Sequence, residues 1–181
     1  MKIIGFAGLS ESGKSYCGKY LEEQHQIPRV KIVRFIEQCR KEYMNNAISL
    51  DEFHDFLYHP TNKFTDFFMD EIISRMKQMY NDHDTIVIES LRNPYLGKYF
   101  HEKLRHDFTI VYMDTALDVR VNRESKKINR SFEETLRATY EKDQLKIAQG
   151  ALEYKKMSDI IYDNNGSSIK LDLFLDELVS Q

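Results

Sequence analysis

The sequence predicts an α/β fold with three layers, in which helices cover both faces of a five-stranded parallel sheet. Five short apolar runs recur along the chain and are nearly continuous, as expected for strands that are buried on both faces. Longer helical patterns separate them, which favours crossover connections between parallel strands. A glycine-rich turn follows the first run. The predicted strands are Lys2–Ala7, Val30–Phe35, Thr85–Glu89, Phe108–Asp114 and Asp159–Tyr162.

The composition is typical of a globular chain, with 181 residues, 41% hydrophobic and 30% charged. This length suits one domain. A net charge of -3 produces no overall field that favours nucleic acid or an anionic membrane. Cys17 and Cys39 match neither a disulfide framework nor a metal site, and predict packed thiols in a reducing compartment. No apolar run reaches membrane-spanning length and no signal peptide fits before the first strand, so we expect a cytoplasmic protein.

The turn after the first strand matches the phosphate-binding pattern G-x-x-x-x-G-K-[ST]. Its glycines allow backbone N–H groups to turn inward around a polyphosphate, and the next helix directs its positive end at the same anion. Lys14 is expected to bridge the β- and γ-phosphates, and the Ser15 hydroxyl to bind Mg²⁺. The predicted nucleotide-binding residues here are Gly8, Ser10, Glu11, Ser12, Gly13, Lys14, Ser15 and Tyr16.

Polar residues follow the third predicted strand in the segment Glu89-Ser90-Leu91-Arg92-Asn93-Pro94. A carboxylate at this strand tip can orient the Mg²⁺ shell or accept a proton from an attacking hydroxyl, and both roles stay open for Glu89. The guanidinium of Arg92 can hold the phosphate of an acceptor. The alternative is a surface turn with an exposed glutamate and arginine.

A basic segment follows the fourth predicted strand, with five cations from Arg120 to Arg130. Cations that close over a transferring phosphoryl group stabilise its transition state. Arg120 and Arg123 lie three residues apart and share one helix face. The alternative is a solvated basic helix end. A capping box from Ser131 to Glu134 then starts a helix that runs toward Gln149, and a last helix is predicted over about 169–179.

The region between the second and third predicted strands is helical and rich in aromatic residues. Its apolar side chains are predicted to form part of the hydrophobic core, and they can form a ligand pocket as well. They are Phe53, Phe56, Leu57, Phe64, Phe67, Phe68, Ile72, Ile73 and Met76. Arg34 and Arg40 are expected to end or follow the second strand and can reach an acceptor from the opposite side. His54, His59, His101 and His106 match no metal-ligand or catalytic-triad spacing and are expected at the surface.

The turn after the last predicted strand, 163–167, contains Asn165, which can bring polar groups to a nucleotide base. The same residues are also ordinary turn formers. Asn165 completes the set of predicted nucleotide-binding residues.

Together these motifs resemble the P-loop kinases of small metabolites, in the nucleoside monophosphate kinase-like and dephospho-CoA kinase-like group. Beside the phosphate-binding loop, Val87–Pro94 resembles that group's strand tip I-D-G-[IV]-R-[NS]-P. The segment Ser158–Ser167 is similar to its ending A-D-x-V-I-x-N-x-G-S. The resemblance implies the three-layer P-loop NTPase fold. It also implies that ATP supplies the γ-phosphoryl group, that Mg²⁺ bridges it and that a lid arginine steadies it.

The resemblance further implies one kinase domain over 1–181. Its core covers about 1–35, 83–119 and 140–181, with an acceptor-binding insertion over about 36–82 and a lid over about 120–139. Glu89 stands where this group usually has aspartate. Val33-Arg34-Phe35 and Ser90-Leu91-Arg92 differ from dephospho-CoA kinases, which makes coenzyme A chemistry the second choice.

The sequence therefore predicts an ATP- and Mg²⁺-dependent phosphotransferase for a small phosphate-bearing acceptor, with a nucleoside monophosphate as first choice. The predicted catalytic residues are Lys14, Glu89, Arg92, Arg120 and Arg123, and the predicted metal-binding residues are Ser15 and Glu89. Dephospho-CoA kinase-like activity and a non-catalytic nucleotide sensor are the alternatives. A GTPase is disfavoured because the chain has neither D-x-x-G after a strand nor N-K-x-D. Nucleic acid and membrane partners are not expected.

Overall fold

The sheet at the centre of the molecule is parallel throughout. The computed structural model describes residues 1–45, 47–59, 62, 64–91 and 93–180. Within them the strands are β1 Lys2–Ala7, β2 Arg29–Lys31, β3 Thr85–Leu91, β4 Phe108–Asp114 and β5 Ile160–Asp163. These described strands form one five-stranded sheet in the order β2-β3-β1-β4-β5. The predicted α/β fold class is confirmed.

Helices connect the strands and supply the two outer layers. They are α1 Lys14–His25, α2 Ile32–Met44, α3 Leu50–Leu57, α4 Phe64–Met79, α5 Pro94–Leu104, α6 Leu117–Ile128, α7 Phe132–Ala148, α8 Tyr154–Met157 and α9 Ser168–Ser180. None of these described helices is long and apolar enough to cross a membrane.

Alternate residues of the strands face two separate hydrophobic cores. On one face, Ile4, Phe6 and Val87 pack with the apolar side chains of α1 and α9. On the other face, Ile3 and Ile86 pack with those of α2, α3, α4 and α5. Burial on both faces explains why the strands read as continuous apolar runs.

Strand register sets which residues meet at the carboxyl edge of the sheet. Phe6 pairs with Glu89 on one side and with Val111 on the other. On the far side of β3, Lys31 pairs with Glu89. The glycine-rich turn after β1 and the tip of β3 therefore share one edge, where ligands bind in open parallel sheets.

The second predicted strand is wrong beyond Lys31. The run Val30–Phe35 was expected to be extended, but α2 begins at Ile32. Ile32, Phe35, Ile36 and Cys39 are buried, at the spacing of one helix face, so the apolar run follows the helical period. Arg34 and Arg40 consequently lie on α2 instead of at a strand end.

The aromatic segment between β2 and β3 is mostly core, as predicted. Phe53, Leu57 and Phe68 are fully buried, whereas Phe56 and Phe67 are largely exposed. Arg40 contributes to this packing, because it donates to the Ile48 carbonyl oxygen at 2.6 Å and pairs with Glu37.

Two further details agree with the sequence. The capping box at Ser131 is present, with Glu134 in the reciprocal position, and it begins α7. Cys17 and Cys39 are buried free thiols.

Candidate active site

The glycine-rich turn forms a strained loop between β1 and α1. Gly8 and Gly13 adopt φ values of 136° and 100°, in the left-handed region that favours glycine. A Cβ at Gly8 would lie 2.8 Å from the Met113 carbonyl oxygen, and one at Gly13 would lie 2.5 Å from Asn164 Nδ2. Since Gly13 carries no side chain to cap α1, the first amides of the helix remain available to an anion.

Lys14 folds back over this loop. Its ammonium donates to the Leu9 carbonyl oxygen and, at 3.1 Å, to Ser12 Oγ. Burial, with a smaller contribution from the nearby charge of Lys146, lowers the pKa of Lys14 to about 7. The Ser10 hydroxyl is also buried and has no hydrogen-bond partner within the described residues. The uncapped first turn of α1 and the partly buried Lys14 ammonium thus give the loop a donor set that fits a polyphosphate.

Ser15 and Glu89, the two predicted metal-binding residues, lie together. Ser15 Oγ donates to Glu89 Oε2 at 3.2 Å, although the two residues are 74 positions apart. Glu89 is only 2% exposed. Hydroxyl and carboxylate oxygens are ligands that suit Mg²⁺. The pair fits such an ion beside the phosphate-binding loop.

Arg29, which the sequence did not single out, holds the other side of Glu89. Its Nε contacts Glu89 Oε1, and its Nη2 donates to Oε2 at 3.2 Å. Hydrogen bonding to Glu89 raises the pKa of Arg29. Both carboxylate oxygens therefore accept hydrogen bonds already, and the side chain of Glu89 is fixed in place.

Arg120 lies behind the loop and is almost entirely buried, with 3% exposed. Its Nη1 donates to the Ser10 carbonyl oxygen at 2.7 Å and to Asp143 Oδ2 at 2.6 Å, and its Nε donates to the Thr115 carbonyl oxygen at 3.1 Å. Asp143 Oδ1 accepts from the Ser10 backbone N–H at 2.8 Å. Arg120 and Asp143 thus bind both backbone groups of Ser10.

Arg123 has a different position, although it is only one turn further along α6. Its Nη1 donates to the Asn164 carbonyl oxygen at 2.8 Å and its Nη2 to that of Gly166 at 2.6 Å. These bonds tie α6 to the loop after β5 and place Arg123 on the wall of a cleft.

Asn165 and Asn164 lie in the loop after β5 and make different contacts. Asn165 Oδ1 accepts from the Ala116 backbone N–H at 2.9 Å, so this predicted nucleotide-binding side chain joins the loop to α6. Asn164 is buried; its Nδ2 donates to the Ser12 carbonyl oxygen at 3.0 Å, and it lines the cleft. Of the two side chains, that of Asn164 is the one that contacts the phosphate-binding loop.

The cleft has a volume of about 720 Å³ and opens over the phosphate-binding loop. The described residues that line it are Glu11, Ser12, Gly13, Lys14, Ser15, Tyr16, Arg123, Glu124, Lys127, Lys146, Asn164, Gly166, Ser167, Ser168 and Leu171. Tyr16 forms part of one wall, and its hydroxyl donates to Asp172 Oδ1 at 2.8 Å. Six of the predicted nucleotide-binding or catalytic residues at 11–16 therefore meet Arg123 in one cavity, and Arg120 does not reach it.

A second cavity of about 360 Å³ lies near the tip of β3. Its described lining consists of His54, Asp55, Tyr58, His59, Asn93, Ala148 and Gln149. His54 and His59 thus face a cavity, which their sequence spacing did not indicate. Arg92, predicted to bind an acceptor phosphate, lies outside the described residues. Its neighbour Asn93 accepts a hydrogen bond from the Tyr95 backbone N–H at 2.9 Å and so begins α5.

Four residues around the two cavities were missed from the sequence: Arg29, Asp143, Lys146 and Gln149. Asp143 and Lys146 lie three residues apart on one side of α7, and Gln149 follows the last residue of that helix. The capping box predicted this helix, and an inspection of its polar residues would have found Asp143 and Lys146. Arg29 has no local signal, because only the register of β2 and β3 brings it to Glu89.

No protein-family model matches the chain, and no curated protein matches its sequence. Solved structures do resemble it. TT1252 from Thermus thermophilus is 19% identical, with 99% of this chain and 96% of that chain covered and a TM-score of 0.59. Shikimate kinase from Bacteroides thetaiotaomicron is 14% identical, with 99% of both chains covered and a TM-score of 0.53.

Shikimate kinase from Acinetobacter baumannii, in complex with shikimate, is 16% identical, with 99% and 93% covered and a TM-score of 0.53. At these identities the similarity is one of fold. The chain therefore has the fold of the P-loop kinases, over almost its whole length, as the resemblance of its motifs implied.

Proposed function

We propose that the protein is an ATP- and Mg²⁺-dependent phosphotransferase that acts on a small phosphate-bearing acceptor. One observation carries the proposal. Lys146 of α7 lines the cleft over the phosphate-binding loop, and Ala148, two residues later on the same helix, lines a second cavity beside the tip of β3. Such an arrangement suits a donor site and an acceptor site that share a point of transfer.

The donor side is supported by the loop and the residues around it. The loop amides and Lys14 would hold the phosphates of ATP, and Ser15 with Glu89 would hold Mg²⁺. ATP supplies the phosphoryl group when bound. Arg123 and Asn164 would contact the rest of the nucleotide, since both lie on the cleft wall.

The acceptor side is supported by the second cavity. His54, Tyr58 and His59 bring three rings to its wall, and flat rings suit the stacking of a nucleobase. Asn93 lines this wall, and Arg92, which precedes it in the sequence, would hold the acceptor's phosphate. We therefore propose a nucleoside monophosphate as acceptor. The segment over about 36–82 would bind it, and the segment over about 120–139 would act as a lid.

The proposed reaction breaks the bond between the γ-phosphorus and the oxygen that bridges it to the β-phosphorus. A new bond joins that phosphorus to an acceptor oxygen, ADP leaves, and any proton on the acceptor oxygen is released to solvent. The protein's contribution would be to orient the two substrates, to offset their charge with Lys14 and to exclude water.

The test measures ADP release from ATP and Mg²⁺ with a panel of nucleoside monophosphates and with dephospho-CoA. We expect release to depend on at least one nucleoside monophosphate. Lys14→Ala should abolish it, while circular dichroism and the thermal unfolding midpoint stay close to those of the unchanged protein.

The other outcomes identify the alternatives. Release that depends only on dephospho-CoA would replace the proposed acceptor class. Binding of ATP without acceptor-dependent release across the panel would contradict the enzyme and favour a nucleotide sensor.

A further inference from the structure

Helix α7 is docked against the phosphate-binding loop along one side. Thr135, Thr139 and Asp143 are buried on this side, at the four-residue spacing of one helix face. Asp143 accepts from the Ser10 backbone N–H at 2.8 Å, and Lys142 pairs with Glu11 at 3.4 Å. Because these contacts involve the loop itself, α7 has a fixed position relative to the phosphate site.

Lys146 lies one turn beyond Asp143 on this docked side. It lines the 720 Å³ cleft together with Lys14 and Ser15. Two lysines thus line one cavity, an arrangement that a polyanion between them would stabilise.

The carboxyl end of α7, at Ala148, reaches the other cavity. Gln149 follows Lys146 by three residues and lines the 360 Å³ cavity beside Asn93. Its Oε1 is buried and has no hydrogen-bond partner within the described residues. Lys146 at the nucleotide cleft and Gln149 at the second cavity are therefore only three residues apart in the chain.

We propose that Lys146 is a catalytic residue, which contacts the γ-phosphate of ATP and stays with the phosphoryl group during transfer to the acceptor. This inference rests on the proposed function. It assigns to α7 the cationic role that the sequence placed on Arg120 of α6, whose donors are directed to Ser10, Asp143 and Thr115. Lys14 and Lys146 would then approach the terminal phosphate from the loop and from the helix.

The test compares the binding of ADP with that of a non-hydrolysable ATP analogue, both with Mg²⁺, by titration calorimetry. In Lys146→Ala we expect the affinity for the ATP analogue to fall about tenfold, the size of a lost charge-assisted contact, with ADP affinity changed less than about twofold. Lys146→Arg should restore most of the preference for the ATP analogue. Lys156→Ala, which removes an exposed lysine of α8, is the matched control and should bind both nucleotides normally.

Three other results would contradict the inference. An equal loss of ADP and ATP-analogue affinity in Lys146→Ala would overturn the inference, because it indicates a general effect on the cleft. Unchanged binding of both by this variant would also overturn it and would leave the proposed function in place. If the unchanged protein binds neither nucleotide, the proposed function fails and the inference fails with it.

Discussion

Two ion pairs flank the phosphate-binding loop, one of them buried and the other partly exposed at Arg29, and they differ in their other contacts. Arg120 and Asp143 are 3% and 4% exposed, and their additional partners are backbone groups of Ser10 and Thr115. Arg29 and Glu89 form the second pair, in which Glu89 also accepts from the Ser15 hydroxyl. The first pair holds the shape of the loop, whereas the second reaches a side chain that is exposed to the cleft. An ion pair can thus position a backbone or present a functional oxygen.

The largest expected effect comes from breaking the first pair. Asp143→Ala leaves the Arg120 guanidinium buried without its partner, and we expect the free energy of unfolding to fall by about 3–5 kcal/mol. Urea denaturation measures this change. A loss below about 1 kcal/mol would show that Arg120 finds water or another partner.

A matched double variant separates stability from loop shape. Arg120→Met with Asp143→Leu replaces both charges by apolar groups and should recover much of the lost stability. Nucleotide binding by this double variant should be weaker than by the unchanged protein, because Arg120 and Asp143 no longer bind the backbone of Ser10. Normal binding by this variant would mean that the pair has no role in shaping the loop.

Breaking the second pair should affect activity more than stability. Glu89→Gln keeps the side-chain shape but removes the charge, and we expect turnover to fall about 100-fold. Because both oxygens of Glu89 already accept hydrogen bonds, we expect it to act through the metal shell. The Mg²⁺ concentration for half-maximal turnover should therefore rise about tenfold. Lost turnover with an unchanged Mg²⁺ dependence would favour the role of base instead.

The last expected effect concerns Lys14, which folds back over the same loop. Its folded-state pKa of about 7 is below the ordinary value of 10.5, so the unfolded chain binds more protons between these limits. The free energy of unfolding should consequently rise with pH across this range. Below about pH 7 the destabilisation from Lys14 is present in full.

Lys14→Met removes this titration. The pH dependence of its unfolding, measured by denaturation from pH 7 to 10, should be flatter than that of the unchanged protein. Parallel curves for the two proteins would contradict the lowered pKa.

The phosphate-binding loop was predictable because its parts are consecutive in the chain. Residues 8–15 contain both glycines, the lysine and the serine, and the strand and helix around them have clear apolar patterns. The second strand was predicted too long, since the residues after Lys31 fit either a strand or the buried face of α2.

The two ion pairs could not be predicted from the sequence in the same way. Glu89 and Arg120 were identified as interesting charges, but Arg29 lies 60 residues from Glu89 and Asp143 lies 133 residues from Ser10. No local pattern links residues at such separations. The sequence therefore indicated which charges matter without indicating which of them face the cleft.

The sequence by itself determined the parallel α/β class and the phosphate-binding loop, because hydrophobic period and loop composition act over a few neighbouring residues. Only the tertiary structure decided that Arg120 supports the loop from behind, that Arg29 holds Glu89 and that Lys146 joins Lys14 in the cleft. Those roles depend on strand register and on the docking of α7, which arise from burial across the whole chain.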